Sequence, residues 1–79
     1  MKPDQIKAVR HTFKLSLAKM AKTINIHASL WEKWEYGSQG ISAAPVTLLK
    51  LILVLHKDGI LEEYMEKVKK IDLLFPKIF

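Results

Sequence analysis

Cysteine is missing from the chain. Its absence excludes disulfides and thiolate metal sites, and makes a reducing compartment the natural setting. No apolar stretch is long enough to cross a bilayer. The longest, Val46 to Leu55, is interrupted by Lys50 and falls far short of the ~20 residues a span requires. The opening Met1-Lys-Pro-Asp-Gln leads into a charged amphipathic segment, not into the apolar core of a signal peptide. A soluble, cytoplasmic protein is expected. Alternation of polar and apolar residues never persists, so strands are not expected. Repeats and low-complexity segments are absent too. Catalytic signatures are lacking: His11, His27 and His56 are dispersed and have no clustered carboxylates to complete a metal site. No serine or threonine sits in a nucleophile motif, and no glycine-rich phosphate loop exists. No enzyme, metal or cofactor is therefore expected.

Negative charge is scarce at the front. Among residues 1–22, Asp4 alone opposes Lys2, Lys7, Arg10, Lys14, Lys19 and Lys22, which supplies the whole net charge of +5. Such a basic segment suits a polyanion, either nucleic acid or an anionic membrane. A lysine-rich solvated surface is the plainer reading. A membrane-surface role fits poorly, because the basic first helix has too small an apolar face.

What is present is helical spacing throughout the 79 residues, enough for one small all-α domain. A first helix is expected over 3–13, with Pro3 and Asp4 in its opening turn and Ile6, Val9, Arg10 and Phe13 on one face. Ser16 suits the N-cap of a second helix over 17–24, whose Leu17, Met20, Ala21 and Ile24 recur at i, i+3, i+4 and i+7. Asn25 then falls where the chain must turn, and asparagine tolerates the left-handed conformation. A third helix opens near His27 or Ala28 and ends at Gly37. Ser42 suits the cap of a fourth, with Pro45 tolerated in its first turn. This fourth helix is apolar on nearly all sides, so it is expected to be the central buried one. Asp58-Gly59 breaks the chain before a fifth helix over 60–70. The segment from Ile71 to Phe79 is unusually apolar.

Two short helices joined by a tight turn at Asn25 have the layout of a helix-turn-helix. Ala21 offers the small side chain that a close helix crossing needs. Trp31 and Trp34 can anchor one side of the third helix, leaving Ala28, Ser29, Glu32 and Lys33 on the other.

The residues Ile6-Lys-Ala-Val-Arg10, Leu15-Ser-Leu-Ala-Lys-Met-Ala21, Ile24-Asn-Ile-His-Ala-Ser-Leu-Trp-Glu-Lys-Trp-Glu-Tyr-Gly37 and Leu48-Leu49 resemble the Cro/C1-type (XRE) helix-turn-helix family of phage and bacterial repressors. The likeness covers residues 3–55 without a gap, and Trp34-Glu35-x-Gly37 is its most specific part. It implies a five-helix, lambda-repressor-like DNA-binding domain over 1–57, with 58–79 as a C-terminal helix and apolar segment for dimerisation.

The resemblance further implies roles for single residues. Arg10 and Glu35 match a structural pair that locks the first helix to the end of the third. Ala28, Ser29, Glu32 and Lys33 match base-reading positions. Lys33 can donate to guanine, Ser29 can reach base or phosphate, and Ala28 can pack on a thymine methyl. Glu32 can accept from cytosine N4, or form a local ion pair instead. Backbone contacts are implied for Lys14, Ser16 and Leu17 at the second helix, and for Tyr36, Ser38 and Gln39 after the third. His27 stands where a capping Ser or Thr is usual; it is either a phosphate contact or a poorly capped exposed histidine.

The departures from the family pattern also matter. Leu17 replaces a usual glutamine, Asn25 a glycine and Ile41 a common proline, and the loop after Gly37 is neutral where the family is basic. Leu17 can touch a thymine methyl, or mark a surface that meets protein.

One helix-turn-helix reads only a few base pairs, so a dimer with half-sites about one turn apart, ~34 Å, is expected. Ile60, Leu61, Tyr64, Met65, Val68, Leu74, Phe75 and Phe79 are its candidate interface. The alternative is a fifth helix that folds back on the fourth and closes a monomeric core. Together these readings describe a sequence-specific, autoregulatory homodimeric repressor of double-stranded DNA, binding an inverted repeat through the major groove. Small stand-alone members of the family, anti-CRISPR-associated repressors among them, set that expectation. The competing reading is a protein-binding module on the same fold, such as an antitoxin that blocks a toxin or a phage protein that captures a host factor.

Overall fold

Four helices in the chain end in the same way, and those ends set the course of the backbone. In the computed structural model, which describes residues 1–79, the order is α1 (Pro3–Thr12), α2 (Leu17–Thr23), α3 (Ala28–Tyr36), α4 (Ala43–Lys57), α5 (Leu61–Lys69) and α6 (Ile71–Leu74). No strand forms. The structure is thus all-α with six helices, the short α6 lying in the apolar segment from Ile71 to Phe79, for which no helix is expected from the sequence.

At the ends of α1 to α4, paired backbone bonds close the last turn: Lys14 N–H to His11 O with Leu15 N–H to Arg10 O, Asn25 to Lys22 with Ile26 to Ala21, Gly37 to Trp34 with Ser38 to Lys33, and Gly59 to His56 with Ile60 to Leu55. This is the Schellman arrangement, which needs one residue in the left-handed region. Lys14, Asn25, Gly37 and Gly59 fill that position, with φ of 54°, 58°, 76° and 72°. Glycine and asparagine do so at low cost. Lysine does not.

The helix starts are also specified locally. Pro3 occupies the first turn of α1, where its missing N–H is not needed. The Lys2 N–H donates back to Gln5 Oε1 at 2.7 Å. Ser16 Oγ accepts from the Lys19 N–H at 3.3 Å and caps α2. Pro45 lies in the first turn of α4.

By internal packing the chain divides into two compact units, Met1–Thr47 and Leu48–Phe79, the division falling inside α4. In the first unit α1 and α2 both pack on α3. Ile6, Val9, Met20, Ala21, Trp31 and Trp34 are buried there. The small Ala21 stands on α2, as a close crossing requires. A Cβ on Gly37 would meet Pro3 Cγ at 3.2 Å, so the end of α3 lies against the start of α1.

In the second unit Leu49 and Ile52 are buried, but Leu51 and Val54 are 55% and 57% exposed. The expectation that α4 is enclosed on all sides is therefore corrected. An apolar helix is buried all round only when neighbours cover every face, and α4 hides one stripe. α5 buries no residue at all: Ile60, Leu61 and Met65 are half-buried, while Tyr64 and Val68 are exposed. No helix is long and apolar enough to cross a membrane.

Candidate nucleic-acid interface

α3 has two faces of opposite character. Ser29, Glu32, Lys33 and Tyr36 are exposed, and their spacing of i, i+3, i+4 and i+7 puts them in one stripe. Trp31, Trp34 and Glu35 are buried behind them. Ala28 is half-buried and lies roughly 100° around the helix from Ser29, at the margin of the stripe. Of the residues expected to read bases, three therefore share the outer face and one flanks it. Tyr36, expected at the backbone, falls in line with them and is 76% exposed.

The rear of α3 is held by a polar network inside an apolar setting. Arg10 donates from Nε to Glu35 Oε2 at 2.8 Å and from Nη2 to Oε1 at 2.9 Å. This is the two-pronged geometry that suits guanidinium and carboxylate. A further bond, from Arg10 Nη1 to Leu15 O at 3.3 Å, holds the loop between α1 and α2. The Trp31 indole N–H donates to Glu35 Oε2. The side chains of Arg10 and Glu35 are 19% and 4% exposed. The Arg10 hydrogen bonds hold the Glu35 carboxyl below its ordinary range against the opposing effect of burial, helped by the Trp31 hydrogen bond and the charges of Arg10 and Lys7. Arg10 is correspondingly raised, chiefly by its hydrogen bonds to Glu35. No buried side-chain nitrogen or oxygen is left without a partner.

The tryptophans are thus more than apolar anchors. Their rings lie 5.7 Å apart and tilted by 58°, and Trp31 also fixes the carboxylate that Arg10 clamps. The sequence carried that signal in the i, i+4 spacing of Trp31 and Glu35.

At the start of α3, His27 is the N-cap. Its Nδ1 accepts from the Ser29 N–H at 3.2 Å and lies 2.8 Å from Ser29 Oγ. The reading of His27 as a poorly capped histidine is corrected: imidazole nitrogen replaces the usual hydroxyl or carboxylate oxygen. The local ion pair weighed for Glu32 is absent, since the three ion pairs are Arg10–Glu35, Lys67–Glu63 and Lys69–Glu66.

Lys14, Ser16, Ser38 and Gln39 are exposed, and Leu17 is half-buried. α2 has only 7 residues, so its dipole is short, and Lys14, Lys19 and Lys22 are the exposed positive charges on and beside it. Ser38 Oγ reaches back to Lys33 O at 3.4 Å. No group of three or more His, Asp or Glu side chains is placed to hold a metal ion.

Comparison with family models, with curated proteins and with solved structures finds no match to this chain.

Proposed function

We propose that the chain is a sequence-specific DNA-binding transcriptional repressor, built as a lambda-repressor-like helix-turn-helix domain and acting as a homodimer on an inverted repeat. The observation that carries this reading is the two-faced α3. A short helix is fixed from behind by Trp31, Trp34 and the Arg10–Glu35 pair. Its front offers Ser29, Glu32, Lys33 and Tyr36 to solvent. A major groove admits such a helix and presents donors and acceptors to those side chains. The basic residues 1–22 add attraction to phosphate. The Cro/C1-type likeness of residues 3–55 supports the same conclusion, and autoregulation follows the habit of that family. Catalysis has no part in it. The one carboxylate shifted from its ordinary titration, Glu35, is lowered and is consumed by Arg10 and Trp31.

A gel-shift titration with the DNA upstream of its own gene tests the proposal. Wild type is expected to bind specifically, with Lys33→Ala and Ser29→Ala each weakening binding by ~1–3 kcal/mol. The logarithm of the binding constant is expected to fall with the logarithm of salt by about 0.9 per phosphate neutralised. Absence of any specific shift for wild type at low salt removes the proposal.

Lys14 provides an independent check through effects of opposite sign. Its left-handed backbone is unfavourable for a lysine, so Lys14→Gly is expected to stabilise the fold by ~0.5–1 kcal/mol. The same change removes a phosphate contact. It is expected to weaken DNA binding evenly across sequences and to reduce the salt slope by about one per protomer. A thermal melt and a salt titration on one variant measure both.

Two observations favour the second reading, a protein-binding module such as an antitoxin. Ser38-Gln39-Gly40 carries no charge, and Leu73 to Phe75, Ile78 and Phe79 are exposed. On that reading, deletion of 71–79 abolishes partner binding while Ser29→Ala and Lys33→Ala leave it intact.

A further inference from the structure

Resting on the DNA-binding reading, we infer that His27 is a positioning residue that fixes the hydrogen-bond polarity of Ser29, so that Ser29 presents an acceptor and selects adenine or cytosine at the base it faces. Nδ1 of His27 accepts the Ser29 N–H at 3.2 Å. A ring nitrogen that accepts carries no proton, so this bond selects the tautomer with its hydrogen on Nε2. Ser29 Oγ lies 2.8 Å from that same Nδ1. With no proton on the nitrogen, the hydrogen of this contact belongs to the hydroxyl, and Ser29 donates.

A serine has only one hydroxyl hydrogen. Once it is engaged with His27, the outward side of Oγ offers lone pairs alone. In the major groove the complementary donors are adenine N6 and cytosine N4. A free serine, by contrast, rotates to suit any base. The cap thus narrows an otherwise permissive side chain, and it does so from an exposed residue that needs no base contact of its own. The neighbouring Glu32 is acceptor-only when ionised, so a fixed Ser29 and Glu32 place two acceptors one helical turn apart, with the Lys33 ammonium as the donor beside them.

Two variants separate polarity from folding. Glycine is a competent N-cap, so His27→Gly keeps α3 and frees the Ser29 hydroxyl. Aspartate is both a strong cap and acceptor-only, so His27→Asp keeps the hydroxyl engaged while its charge opposes nearby phosphates. Each protein, with Ser29→Ala, selects duplexes from a random pool, and the enriched sites are sequenced. Wild type is expected to prefer A or C over G and T at one position per half-site, by roughly 5- to 150-fold. Ser29→Ala identifies that position by erasing the preference there alone. His27→Gly is expected to relax the same position to within about 3-fold while the rest of the site persists. His27→Asp is expected to retain the preference at lower overall affinity.

An unchanged preference in His27→Gly, or a wild-type preference for G or T at that position, overturns the inference and leaves the DNA-binding reading standing. Absence of any enriched site for wild type defeats that reading itself. A readout without DNA completes the test. Imidazole nitrogen resonances of the free protein are expected to place the proton of the His27 tautomer on Nε2, and a tautomer with its proton on Nδ1 overturns the inference whatever the selection yields.

Discussion

Glu35→Ala is expected to lower stability by ~3–5 kcal/mol, the loss typical of a buried ion pair deprived of one partner. A chain of 79 residues has a total stability on the order of 4–12 kcal/mol. The variant should therefore melt on the order of 20 °C below wild type, or fail to fold at all. The reason lies in what the carboxylate holds. It takes two hydrogen bonds from Arg10 and one from Trp31, so its removal strands a guanidinium and an indole N–H together. Replacing Arg10 as well by an apolar residue cannot restore the fold fully, because Trp31 still lacks its acceptor. Glu35→Gln keeps an acceptor without the charge and is expected to fall between alanine and wild type. A circular-dichroism melt measures the series, and an alanine variant that melts with wild type removes the structural role.

The same pair predicts an acid dependence whose sign is fixed. The folded Glu35 carboxyl is held below its ordinary range, first by the Arg10 hydrogen bonds, so the unfolded chain binds its proton more readily. Stability from this group is then complete above the unfolded carboxyl value of about 4.3. It is lost as pH falls through the lower folded value. Glu35→Gln lacks this component, and the gap between the two proteins should narrow in acid.

The local code explains which parts of this structure are legible in the sequence. The turn at Asn25 and the stop at Gly37 are readable because those residues tolerate the left-handed conformation, and both adopt it. The matching turn at Lys14 is not readable, because nothing about lysine signals a positive φ. The cap at Ser16 is recognisable for its hydroxyl, whereas His27 does the same job with a nitrogen that cap preferences omit. The face of α3 could be derived from Trp31 and Trp34, since two large aromatics three apart have only one way to hide. α4 misled for the opposite reason. Periodicity reports which faces are apolar, but the number of neighbours available to cover them is a property of the whole chain. Leu51 and Val54 are apolar and exposed.

Deleting residues 71–79 is expected to convert a dimer into a monomer and to reduce affinity for the full inverted repeat by ~10²–10⁴-fold, the gain that linking two binding events supplies. The argument begins with α5. Its apolar side carries Ile60, Leu61 and Met65 half-buried and Tyr64 and Val68 exposed, and no residue of α5 is buried. Fold-back of α5 into a closed monomeric core would bury that side. Beyond it, Leu73, Ile78 and Phe79 are 74%, 71% and 69% exposed, with Leu74 and Phe75 close behind. Large apolar side chains left this exposed in number mark a candidate interaction surface. A two-fold pairing of this segment would cover it on both protomers. Rim charges contribute little: Lys67–Glu63 at 3.9 Å and Lys69–Glu66 at 3.1 Å are exposed pairs within α5. The chain mass is 9.1 kDa, so light scattering distinguishes one copy from two directly. Each half-site bound by the truncated protein should keep its base preferences, because Ser29 and Lys33 lie in the unit formed by residues 1–47. A full-length chain that is monomeric at micromolar concentration defeats the dimer. A truncated chain that still dimerises moves the interface to α5 and the exposed side of α4, where Leu51→Lys and Val68→Lys would then be the variants that split it.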